Sequence, residues 1–139
     1  MKGIWIVAGC VGAAVIYGQL SAEKVVGNWE GDSKCVDLVA APGCHDEHVM
    51  FHVLPVKDKP SMLLIKGDRL ANQKWIWMGD LDFVVDSKKS TLRCDMKMNG
   101  NHSVWDFSVK GDKMTGTLTQ LPENKVVRRI SVKRVPNSN

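Results

Sequence analysis

The chain has 139 residues, 44% of them hydrophobic and 24% charged, with a formal net charge of +4. That length holds one domain with a real core, but not comfortably two. The charge excess is mild, and basic residues cluster only along Lys125–Arg134, alternating with apolar ones. Such a run reads as a solvated strand edge. It lacks the basic, aromatic-interleaved face of a nucleic-acid binder, so no nucleic-acid partner is expected.

The N-terminus has the order of a secretory signal. Lys2 supplies a positive start, and Ile4–Tyr17 is an uncharged apolar run. Small residues then lead to Ala22, before Glu23-Lys24 turns polar. Cleavage is expected after Ala22. The apolar run is shorter than the roughly 20 residues of a spanning helix. Two other readings stay open: Val7-Ala8-Gly9-Cys10 resembles a lipobox, and the leader could be retained as an anchor. Cleavage implies a secreted or periplasmic protein that meets a membrane only through its leader. Removing residues 1–22 from the 139 leaves 117, with 18 basic and 15 acidic side chains and a net charge of +3. The expected domain spans residues 23–135, followed by a disordered tail over 136–139.

Cys35, Cys44 and Cys94 remain, and an oxidising compartment favours pairing. Cys35 and Cys44 enclose a short segment containing Pro42-Gly43, so a Cys35–Cys44 bridge is expected. A ring that small stabilises by roughly 2–3 kcal/mol on the chain-entropy view. Cys94, beside Leu92 and Met96 on one strand face, reads as a small buried hydrophobe.

Period-two alternation dominates after Glu23, and no segment carries a convincing helical stripe. Strands are expected over Val25–Gly31, His48–Pro55 and Ser61–Asp68, the last bulged near Gly67. Next comes Trp75–Val85, with Trp75, Trp77, Gly79, Leu81, Phe83 and Val85 on one face. Thr91–Met98 and Ser103–Val109 follow. Val126–Arg134 is last, with Val126, Ile130 and Val132 spaced as one face although Arg128 sits among them. Polar turns separate these runs: Asp86–Ser90, Asn99–Asn101, Lys110–Asp112 and Pro122–Asn124. A short helical turn is possible around His45–Glu47. Eight or nine hairpin-linked strands must protect their two edges, and closure into an up-and-down antiparallel barrel removes them. An open two-sheet sandwich is the competing all-β architecture.

Gly27-Asn28-Trp29 on the first strand resembles the opening of lipocalins and their calycin relatives. The run Gly111–Thr119 with Val126–Ile130 resembles the closing hairpin of small lipocalin-like barrels. The resemblance implies that Trp29 closes the barrel base against the last strand. It also implies that a basic residue, Arg128 or Arg129, covers that ring by cation–π contact. A ligand-holding habit is implied more loosely, since function does not follow from fold.

The first functional expectation is therefore a non-enzymatic binder of a small apolar or amphipathic ligand inside the barrel. Phe51, Leu63, Ile65, Trp75, Trp77, Phe83, Met96, Trp105 and Phe107 are expected to line it. An eight-strand barrel is only just wide enough for its own side chains or one small guest, so these residues equally suit a filled core. The second expectation is copper or zinc binding. On a strand His48, Met50 and His52 project to one side, with His45 or Asp46 able to complete the set; a solvated outer face explains the same residues more simply. No nucleophile elbow, phosphate loop or His-Glu-x-x-His helix is present, and no cofactor is expected. A third reading is a protein-facing role, since small one-disulfide barrels opening with Gly-x-Trp resemble bacterial inhibitors of secreted metalloproteases. There the stretch ahead of the first strand does the blocking, and here it is short. The sequence does not reveal oligomeric state.

Overall fold

The computed structural model describes residues 20–136. Most of the expected leader, residues 1–19, and positions 137–139 of the expected tail lie outside the described residues. A 3-10 turn over Ala22–Lys24 precedes eight strands: β1 Gly27–Cys35, β2 Glu47–Pro55, β3 Met62–Ala71, β4 Lys74–Asp86, β5 Thr91–Met98, β6 Asn101–Lys110, β7 Lys113–Leu121 and β8 Lys125–Arg134. Each strand pairs antiparallel with the next, and β8 pairs with β1, closing the barrel. Closure satisfies both edges of the sheet, so the sandwich alternative does not apply. The expected turn around His45–Glu47 is absent: that segment runs extended into β2, because the Cys35–Cys44 bridge, with Cα atoms 6.0 Å apart, already folds the β1–β2 connection back.

One end of the barrel is packed solid. Trp29 is fully buried there, and its indole Nε1 donates to the Val25 carbonyl at 2.9 Å. Leu20, Val25, Leu63, Leu92, Met114 and Val132 belong to the same apolar core. Arg134 lies over the Trp29 ring, its guanidinium carbon 4.4 Å from the ring centroid. The same guanidinium donates to the carbonyls of Lys24 and of Val26, the latter at 2.9 Å, and pairs with Asp112 at 3.0 Å. The covering residue is thus Arg134, in place of Arg128 or Arg129. Counted back from Arg134, Arg128 lies six residues nearer the other end of β8, while Arg129 is exposed. Gly31 is required in β1, since a Cβ there would sit 2.0 Å from the Ser131 carbonyl oxygen of β8.

β4 carries the second correction. Gly67 pairs with Gly79 and Asp68 with Trp77, which leaves Met78 without a partner on β3. One extra residue reverses the faces of all side chains beyond it. Leu81 and Phe83, on one side of the bulge, pack into the core. Trp75 and Trp77, on the other, are turned out of the barrel and are 40% and 65% exposed. Period-two alternation carried straight through the bulge puts both indoles on the wrong face.

Replacing Arg134 with Met keeps an apolar stem but leaves the carbonyls of Lys24 and Val26 without their charged donor. We expect a loss of about 2 kcal/mol, read as a lower urea midpoint with an unchanged slope.

Candidate ligand-binding site

The half of the barrel away from Trp29 is not filled. It holds a cavity of about 510 Å³, within the range of small-molecule sites. Its floor is an aromatic cluster: Phe107 meets Phe51 edge-on at 5.9 Å and Phe83 at 5.6 Å, and stacks parallel to Trp105 at 6.3 Å. Gly116 makes room for this cluster, since a Cβ there would come within 2.4 Å of the Phe107 ring. The wall includes Ile65, Met78 and Met96, and the rim carries Ser33, Glu47, Met98 and Arg128. Gly67 also lines the space, and a Cβ there would make ordinary contact with Met78 and Phe51, at 3.6 and 3.8 Å.

The enclosure is incomplete between β4 and β5. Only Val84, Val85 and Asp86 pair with Arg93, Leu92 and Thr91. Beyond those three pairs the ladder stops, on the side where Met78 and Met98 border the cavity.

Polar groups are few. The guanidinium of Arg128 donates to Ser33 Oγ at 3.0 Å and to the His45 carbonyl at 2.9 Å, and lies 3.9 Å from the Glu47 carboxylate. Trp105 supplies a different feature. Among the described residues, its Nε1 is the buried side-chain polar atom that finds no hydrogen-bond partner. An unmet buried N–H costs about 1–3 kcal/mol unless a guest or a water accepts from it.

Of the expected lining residues, Phe51, Ile65, Phe83, Met96, Trp105 and Phe107 stand around the cavity. Leu63 is buried in the packed half, and Trp75 and Trp77 are outside. Met78, Glu47 and Arg128 were not expected there. The sequence carried a signal for Arg128, a charge at an inward-facing position between Val126 and Ile130. Met78 carried none, because the bulge alone turns it in.

The three histidines are not brought together. His48 Nδ1 lies 3.0 Å from Asp32, its Nε2 lies 3.6 Å from Glu30, and its ring sits 5.9 Å from that of Trp75. His52 bridges Asn28 at 2.8 Å and Asp68 at 2.9 Å. His45 belongs to the β1–β2 connection. Among the described residues no group of three or more His, Cys, Asp or Glu is placed to hold a metal ion. Cys94 is buried, and burial, aided by the nearby charges of Asp82 and Asp95, pushes its thiol pKa up.

No protein-family model matches the chain, and no curated protein matches it. Solved structures do. A mutant of the fluorescent protein UnaG aligns with a TM-score of 0.53 at 16% identity, over 83% of this chain and 99% of that one. A structure described as the REP1-NXSQ fatty acid transporter aligns with a TM-score of 0.54 at 16% identity, over 84% and 99%. The fold is that of the lipocalin-like, or calycin, barrels.

The hydrogen bond that the His48 ring donates to Asp32 raises the His48 pKa, with the Asp32 and Glu30 charges adding and partial desolvation opposing. The favoured form is the imidazolium, so the pair's contribution is complete below about pH 6.5. It fades as pH rises through the elevated midpoint. An NMR titration should place the His48 midpoint above the ordinary histidine value, and Asp32→Asn should bring it down.

Proposed function

We propose that this protein is a secreted or periplasmic, non-enzymatic carrier of one small amphipathic molecule. The guest's apolar body would rest against Phe51, Phe83 and Phe107, and a hydrogen-bond acceptor on it would meet Trp105. The observation that carries this reading is a largely apolar cavity of about 510 Å³, with the unmatched indole N–H of Trp105 buried behind its lining. A dry apolar guest would leave that donor unpaired, whereas a carboxylic acid, ester or ketone would accept from it. Arg128, Ser33 and Glu47 at the rim offer further polar contacts to a guest's exposed end. The likeness in fold to a fatty acid transporter supports the class of guest. The expected leader and the Cys35–Cys44 disulfide support the compartment.

The metal reading draws less support, since His48 and His52 each engage their own carboxylate. The inhibitor reading also weakens. The stretch between Ala22 and β1 is occupied in closing the barrel base, with Val25 in the core and the Lys24 carbonyl held by Arg134.

Titration with a medium-chain fatty acid should change the tryptophan fluorescence and saturate at one equivalent. Trp105→Phe keeps an aromatic ring and removes only the donor. It should weaken that acid about tenfold, ~1.4 kcal/mol, while leaving naphthalene, a guest without an acceptor, nearly unaffected. Failure of both guests to bind the native protein would remove the proposal.

A further inference from the structure

The β3–β4 hairpin presents an apolar surface that the barrel does not use. Leu70, Trp75, Ile76 and Trp77 are exposed at its end, Trp77 the most. From Arg69 to Met78 the chain holds two cations, Arg69 and Lys74, and no carboxylate. The neighbouring β5–β6 hairpin, at the same end of the barrel, adds exposed Lys97 and Met98. The nearby carboxylates are engaged, those of Asp32 and Glu30 by His48, whose ring lies 5.9 Å from that of Trp75. Asp68 bonds His52, Asp80 accepts from the Trp77 indole at 2.8 Å and lies 3.8 Å from Lys66, and Asp95 bonds His102. These two hairpins bound the stretch where β4 and β5 part and the cavity wall is open.

Indoles beside lysine and arginine are the composition of a membrane interface, where the ring sits at headgroup level and the cation meets lipid phosphate. Two copies meeting on this surface would bring Arg69, Lys74 and Lys97 against their own kind, so a second copy is a poor match for it. We infer that the ends of β3–β4 and β5–β6 form a docking surface for an anionic lipid membrane, inserting Trp75 and Trp77 at the headgroup level. This departs from the expectation that only the leader meets a membrane. It also deepens the carrier reading, on which one consequence rests: docking presses the β4–β5 opening against lipid, so a guest enters without crossing water.

The test is partition of the full chain onto phosphatidylcholine vesicles with and without phosphatidylglycerol, some carrying brominated acyl chains. The native chain should bind the anionic vesicles more strongly, lose that preference in high salt, and show tryptophan quenching by bromine. Trp75→Ser with Trp77→Ser should remove most of the quenching. Arg69→Gln with Lys74→Gln should weaken anionic-vesicle binding roughly tenfold or more. All four positions lie outside the core, and unchanged circular dichroism in each variant confirms the barrel. Unchanged partition and quenching in these variants would overturn the proposal. So would a dimer in sedimentation velocity that the tryptophan substitutions dissolve, because the patch would then be covered by a second copy. Guest binding by Trp105 fluorescence, measured without vesicles, separates failure of docking from failure of the carrier reading.

Discussion

The guanidinium of Arg134 lies over the ring of Trp29 while its nitrogens hold the carbonyls of Lys24 and Val26 and the carboxylate of Asp112. One side chain thereby ties the last strand, the first strand, the turn ahead of it and the β6–β7 connection together. The charge is spent on backbone acceptors that would otherwise be poorly satisfied beside an apolar core, and the cation is held against a π face. With that end closed and packed, alternate side chains of all eight strands are committed to one interior. The two halves of that interior then take different forms.

The half near Trp29 is filled by aliphatic side chains and methionine. The other half is wider in effect because small residues and aromatics alternate there. Gly67 and Gly116 remove side chains opposite Phe51 and Phe107. The aromatic rings pack on one another at the floor and do not reach across the lumen. An apolar void of this size would cost stability if it stayed empty, since its lining lacks contact partners. A guest that fills it recovers that contact.

The bulge between β3 and β4 governs the rest. By leaving Met78 unpaired it delivers a thioether to the cavity wall and turns two indoles to the outside. Binding site and exposed rim are thus produced by the same one-residue irregularity. The short β4–β5 ladder then leaves that rim beside an opening. The outer face of β1–β3 is different in kind. There His48 and His52 sit among carboxylates and an asparagine, a solvated polar surface with one elevated histidine pKa.

Much of the architecture was legible because it depends on local rules. Period-two alternation between polar turns marked the strands, and Gly27-Asn28-Trp29 marked the closing end. A short spacing marked the Cys35–Cys44 ring, whereas the bulge expected in β3 near Gly67 has its extra residue, Met78, in β4. Phe51, Phe83 and Phe107 could be assigned inward because nothing irregular lies between them and their strand neighbours. Trp75 and Trp77 could not, since their facing depends on how many residues of β4 oppose those of β3, which is a property of the pair. The choice of Arg134 over Arg128 likewise rests on the stagger at which β8 meets β1, and that stagger is fixed only when the sheet closes. The amino-acid order determined which segments pleat and which side chains are able to be buried. Tertiary structure alone decided the register between strands, and with it which of those side chains meet inside, which stand in water, and where the interior stays hollow.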